Sequence, residues 1–432
     1  MHELRSSFDN ACTRFDKNAS NIDSLIRELR EISLSIQQIL INKQSDDFRG
    51  WKELFSEIQF LLVNAQKREL YSLSETQQFI SEVIRKAERA PNSFRTKEND
   101  FLLFHYFGHL SKFPCLNLGD YIQTYAMESV LAELFPKSSF SFFDRDSLSL
   151  YEVSDTLKNK NKMQRDHLVE EGGGKICVMQ GWFAHTWNFL PNHFIRPLWL
   201  GTHFNEAIKP FICEVLNLAP NYFTDSVGCR DFGTLKFLRD LKQDSYLSRC
   251  NTLLFPKRTN FLSDSSSPFS NVFYVDVPEH LMELFPLKMK TKFVQIKQKV
   301  TDRHWEHWTT TYLAAQSLLK KYRDEASMVV TTALHCAAPC LAMGVPVLLL
   351  AESPVENIPR FSALNGLIKC HTFEDLKMGH IDFERIEPVH FEDLKEAMKK
   401  NLYLSVLSLQ GDRSCKAELR QLRQFIEDYR TS

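Results

Sequence analysis

The stretch VVTTALHCAAPCLAMGVPVLLL, residues 329–350, sets an ionisable side chain, His335, where an apolar strand gives way to a small-residue helix. An imidazole titrates near neutral pH and can donate or accept a proton in a reaction. The first turn of a helix carries unpaired N–H groups and a partial positive charge, which suit an anion. A histidine that only fills space fits the same position. Gly119-Asp120 in NLGDYIQTYA raises a similar pair of readings. The glycine lets backbone approach a ligand closely, while Asp120 can cap the helix or accept a hydroxyl, with Gln123 one turn further on. FDRD (143–146) ends a strand with charges of both signs, for which internal pairing is the simplest reading. GWFAHTW (181–187) sets Trp182, His185 and Trp187 after another strand. RHWEHW (303–308) spaces two histidines and two tryptophans by three, so Trp305 falls on one helical face. No third ligand accompanies that histidine pair, and no metal site is read there.

These residues need elements to hold them. From Asp100 onward, short apolar strands alternate with helical patterns: FLLFHYF, FSFFDRD, KICVMQGWF, then NVFYVDV, KFVQIKQ, SMVVTTA and VPVLLLA. Such alternation predicts parallel sheets covered on both faces, with ligands at the carboxyl ends of the strands. A serine-rich stretch, SDSSSP at 263–268, divides the pattern. The expected architecture is α/β, with two Rossmann-like domains in a GT-B-like arrangement and a cleft between them. We place the first at 96–262, the second at 269–390, and a C-terminal helical segment at 391–432. Residues 1–95 show apolar positions at three- and four-residue steps, as in Ile22, Leu25, Ile26 and Leu29. That region reads as an all-helical module for packing, oligomerisation or docking, with a peripheral membrane contact as the alternative.

Lys+Arg 53 against Asp+Glu 54 gives a formal net charge of -1, so no global field attracts nucleic acid and any anion site must be local. Ten cysteines without a CxxC pair suggest neither a disulfide framework nor zinc, and reduced thiols in the cytoplasm are the simpler reading. The start of the chain is mixed in charge, unlike a secretory signal. The longest apolar run, Cys336 to Ala351, contains two prolines and a glycine and is shorter than the roughly 20 residues that cross a bilayer.

NLGDYIQTYA (117–126), FDRDSL (143–148), GWF (181–183), IRPLWLGTHF (195–204), VGCRD (227–231), CNTLLFP (250–256) and TTALHCAAPCLAMGVPV (331–347) occur in this order. The set resembles the polysaccharide pyruvyl transferase family over residues 100–365. The resemblance implies transfer of a pyruvyl group from phosphoenolpyruvate to two hydroxyls of a sugar, giving a cyclic ketal on a surface glycan or its lipid-linked precursor. It implies His335 as general acid/base, Arg230 as a contact to the donor, and Arg258 as a weaker candidate for that role. On the acceptor side it leaves Asp120, Gln123, Trp182, His185 and Trp305. No metal or cofactor beyond the donor substrate is called for, because protonation activates the electrophile.

One departure stands out. The family motif is Arg-Leu-His, whereas this chain has Ala333-Leu334-His335. A guanidinium grips a planar anion through two parallel hydrogen bonds, and a methyl offers none. Three explanations stay open: a substitution introduced to trap a complex, a cation supplied from elsewhere such as Arg249 in SRCNTLL, or a donor other than phosphoenolpyruvate. The last keeps a nucleotide-sugar glycosyltransferase in view. A catalytically silent relative, docked through its N-terminal helices to a polysaccharide-synthesis complex, is the reading from another class. Arg230 also has a purely structural reading, a salt bridge to the adjacent Asp231.

Overall fold

The computed structural model describes residues 100–106, 116–150, 175–184, 189–191, 195–259, 271–300, 308–354 and 358–431. The helical reading of residues 1–95, and the stretch SDSSSP, lie outside them. Strand β1 (Asp100–His105) is buried from Phe101 to Phe104, as an apolar run between two strands should be. It pairs in parallel with β3 (Ser139–Asp144) on one side and β4 (Lys175–Val178) on the other, and β4 pairs with β6 (Ile195–Leu198). A short β2 (Leu116–Asn117) leads into helix α1 (Leu118–Leu134). A second parallel sheet runs β5 (Gly181–Phe183), β7 (Leu200–Phe204), β8 (Val227–Cys229) and β9 (Ser245–Leu247). Helix α2 (Lys209–Leu218) precedes β8, and α3 (Phe232–Asp240) follows it.

The run KICVMQGWF is read from sequence as one strand and forms two. The Gln180 N–H turns back to the Val178 carbonyl at 2.8 Å, and Gly181 takes φ +99°, a value few other residues tolerate. The chain thereby leaves one sheet after β4 and enters the other at β5.

The later half builds a five-stranded parallel sheet in the order β11 (Phe293–Ile296), β10 (Val272–Val275), β13 (Met328–Thr331), β14 (Val347–Ala351), β15 (Cys370–Thr372). In chain order this is second, first, third, fourth, fifth. The topological switch point, where such sheets bind ligands, therefore lies between β10 and β13. Helix α4 (Trp308–Glu325) precedes β13, and α5 (Leu334–Ala342) follows it. The two halves are joined by an antiparallel pairing of β12 (Lys299–Val300) with β2, by packing of α4 on α1, and by one continuous apolar core.

The segment read as helical at 391–429 forms two helices, α6 (Glu392–Leu409) and α7 (Lys416–Asp428), because the chain reverses at Gly411, φ +103°. Helix α7 returns to β9, where Glu427 accepts from the Leu247 N–H at 3.1 Å and from Arg239 at 2.8 and 2.9 Å. Arg249 completes that junction. Its guanidinium donates to the carbonyls of Ile426 (3.0 Å), Asn365 (2.7 Å) and Tyr429 (2.8 Å), which ties the C-terminal turn to the first half.

Candidate active site

A cavity of about 1030 Å³ opens between the two halves at the carboxyl ends of their strands. The first half contributes Asp120, Trp182, His203 and Arg230 to its wall, and the second half contributes Asp276, Ala333, His335 and Arg360. Each half places one of its key residues where a parallel strand runs into a helix: Arg230 between β8 and α3, and His335 at the start of α5 after β13.

In the first half the entry to α1 is built by Asn117. Its side-chain oxygen caps the Gly119 N–H at 3.1 Å, and its amide donates to Asp120 at 3.2 Å. Asp120 is therefore not the cap, which corrects one of its two readings and leaves its buried carboxylate beside the cavity. Gln123 is not in the wall. It sits behind it, donating to Asp120 at 3.3 Å and accepting from a terminal nitrogen of Arg230 at 3.5 Å. Arg230 is 4% exposed, and its Nε has no partner among the described residues. The salt bridge to Asp231 is not formed. Adjacent residues at a strand–helix junction diverge, and Asp231 turns to cap α3 through Thr234 N–H at 3.0 Å and to meet His203 Nδ1.

In the second half, Ala333 occupies the position before α5. A methyl caps none of the helix's first-turn N–H groups; the Ala333 carbonyl takes the Cys336 N–H at 3.1 Å, and the N–H groups of Leu334 and His335 have no acceptor among the described residues. His335 follows. Its backbone carbonyl accepts from Gln298 at 3.3 Å, and its Nε2 has no partner among the described residues. Burial and the neighbouring Arg230 and Arg360 push its pKa down to about 3, so the imidazole is neutral at pH 7. Arg360 carries the second cation of this wall. Burial and the neighbouring Arg230 lower its pKa, as expected of two guanidinium groups that repel each other.

The halves approach closely at Gly119, where an added Cβ would lie 3.0 Å from His335 Cβ and 3.1 Å from Asn117 Oδ1. Gly119→Ala should therefore displace the imidazole by a few tenths of an ångström. We expect kcat to fall about tenfold, since misplacement of about 1 Å can cost 100-fold. The melting temperature should hardly move. Steady-state rates beside a thermal melt check both.

The sequence-derived candidates divide clearly. Asp120, Trp182, Arg230, Ala333 and His335 line the cavity. His185 and Trp305 lie outside the described residues. Arg249 and Arg258 lie elsewhere, and their placement corrects their reading as donor contacts. Arg249 is occupied as described above, and Arg258 donates to the Ala326 carbonyl at 2.7 Å. Two groups escaped the sequence reading. Arg360 follows β14 at some distance, in NIPRFS, a turn with no strand directly before it. His203 is buried in the apparent strand LGTHF, where only the rule of inspecting strand ends could have found it.

A family model described as polysaccharide pyruvyl transferase matches residues 117–354, more than half of the chain. No curated protein and no solved structure gives a match. The matched span holds every cavity residue named above except Arg360.

Proposed function

From the premise that the chain belongs to the polysaccharide pyruvyl transferase family, we propose that it moves a pyruvyl group from phosphoenolpyruvate to two hydroxyls of a sugar, in a polysaccharide or its lipid-linked precursor. The observation that carries this reading is the convergence of Arg230, Arg360 and His335 on one cavity. The donor has two anionic ends, a carboxylate and a phosphate. Two guanidinium groups suit them, since each can form paired charge-assisted bonds. Arg360 supplies the cation that Ala333 lacks.

The chemistry then follows from the charges. An anion bound between Arg230 and Arg360 neutralises the groups that depress His335, and its own charge raises the imidazole pKa. Donor binding thus lets His335 take a proton from solvent, which it delivers to the methylene carbon. The neighbouring carbon becomes electrophilic and two hydroxyls add to it in turn, with loss of phosphate. Trp182 offers an aromatic face to the sugar ring, and Asp120 accepts from its hydroxyls. We read the two halves as a GT-B-like pair closing on this cavity. No helix among the described residues is long and apolar enough to cross a membrane. We place the reaction on the cytoplasmic side, where a lipid-linked acceptor is reached from the membrane surface.

The test follows phosphate release from phosphoenolpyruvate with a panel of methyl pyranosides bearing free diols. Turnover is expected in the unaltered protein. Arg360→Met should weaken donor binding about 10- to 100-fold, the value of one charged hydrogen-bonding group. Ala333→Arg in that background should recover part of the loss. Failure of phosphoenolpyruvate to bind or react, with stabilisation by a nucleotide sugar instead, would sink the proposal in favour of glycosyl transfer.

A further inference from the structure

We infer that His203, held by Asp231, is a second proton-transfer group of this cavity, the base that takes the proton of the sugar hydroxyl attacking the donor. The inference rests on the function proposed above and adds a residue that it leaves without a role.

Four observations lead there. His203 is the penultimate residue of β7 and lines the same cavity as Arg230. Its Nδ1 is engaged by one carboxylate oxygen of Asp231, while its Nε2 has no partner among the described residues. Asp231 is itself wholly buried, and its second oxygen is fixed by the Thr234 N–H at 3.0 Å. The carboxylate can therefore neither leave nor rotate, and it holds the imidazole in the tautomer with hydrogen on Nδ1 and a lone pair on Nε2. Finally, His203 and Trp182 are register partners on the neighbouring parallel strands β7 and β5, which puts both side chains on one face of the sheet. A sugar ring resting on Trp182 thus presents its hydroxyls beside His203.

A helix cap alone needs no histidine, and a packed histidine usually satisfies both ring nitrogens. The reaction needs both groups. Ketal formation adds one proton to carbon and removes two from hydroxyls. In the first addition His203 Nε2 takes the hydroxyl proton as the oxygen–carbon bond forms, while the π electrons of the donor take a proton from His335. The phosphate then departs with the electron pair of its carbon–oxygen bond, and the second hydroxyl adds with its proton passing to the phosphate. His203 returns its proton to solvent and His335 regains one there, so the account balances.

The charged groups around His203 agree with such a role. Burial, Arg230 and Lys209 lower its pKa, while Asp231 raises it, and lowering prevails. The imidazole is then neutral and able to accept at pH 7.

His203→Gln and Asp231→Asn test the assignment, since asparagine keeps the helix cap. His203→Gln should lower kcat for phosphate release about 10²- to 10⁴-fold. Stabilisation of the protein by phosphoenolpyruvate alone should be unchanged. The acidic limb of the kcat profile, where a base loses function by protonation, should disappear. Asp231→Asn should keep that limb and shift it to lower pH. Full kcat with an unaltered limb in His203→Gln would overturn the proposal. A second readout does not depend on the donor. Nitrogen-15 spectra of histidine-labelled protein should show His203 protonated on Nδ1, with a titration that moves down in Asp231→Asn. Should no acceptor release phosphate from phosphoenolpyruvate, the donor assignment fails, and these spectra alone decide the dyad: hydrogen on Nε2, or indifference to Asp231→Asn, would sink it.

Discussion

Asparagine in place of His335 should lower phosphate release about 10²- to 10⁴-fold while leaving the protein folded and able to bind phosphoenolpyruvate. Asparagine approximates the polar shape of the imidazole and cannot deliver a proton to carbon. The same substitution should remove a proton from the binding equilibrium. Burial, Arg230 and Arg360 hold His335 near pKa 3, so it is neutral at pH 7. A bound anion reverses that balance, and donor binding should take up close to one proton near pH 7. Calorimetry in two buffers of different ionisation enthalpy reads the uptake, which His335→Asn should abolish. Uptake unchanged in the variant would move the acid to another residue. Stability supplies an independent check of sign. The unfolded imidazole titrates at 6.5 and the folded one at about 3, so the unfolded chain binds the extra proton between those values. Stability associated with the neutral imidazole is full above pH 6.5 and is lost as pH falls toward 3. The asparagine variant should therefore lose less stability over that window.

What the sequence reveals and hides here has physical causes. Strands buried on both faces are continuous apolar runs, so β1, β10, β13 and β14 are legible within a residue or two of their observed ends. The break between β4 and β5 is not, because it depends on a turn at Gln180 and Gly181 that an apolar pattern conceals. The reversal at Gly411 is equally invisible to a helical period that continues on either side. At the site, the rule of inspecting strand ends leads to His335 and Arg230. Sequence adjacency then misleads in two ways. Asp231 is the chain neighbour of Arg230, yet its partner His203 comes from the adjacent strand, 28 residues earlier. Arg249 stands just past a strand end, and its three acceptors are carbonyls more than a hundred residues away. Composition cannot report a guanidinium consumed by backbone. Nor can it show that Arg360, distant in sequence from Ala333, stands at the same cavity.

The cost of assembling that cavity appears in Arg230, and Arg230→Met should separate binding from stability. Arg230 is buried with its Nε unpaired among the described residues, and its side-chain hydrogen bond there, to Gln123, is long at 3.5 Å. An unsatisfied buried donor costs about 1–3 kcal/mol, and the neighbouring Arg360 adds like-charge repulsion. Methionine fills similar space without either penalty. Without donor the variant should melt about 1–3 °C higher, since a chain of 432 residues shifts by about 1 °C per kcal/mol. The donor, in contrast, loses a pair of charge-assisted bonds made away from water, and its affinity should fall about 100-fold or more. Phosphoenolpyruvate that stabilises the unaltered protein should then stabilise the variant little or not at all. A melt with and without donor reads both effects in one experiment. A variant that melts lower without donor would show that Arg230 braces the fold through Gln123, and one that still binds the donor normally would remove Arg230 from the donor site. The expected pairing, a firmer protein without donor that no longer holds its donor, is what a proposed anion site predicts when a buried guanidinium keeps one donor atom unpaired for the substrate.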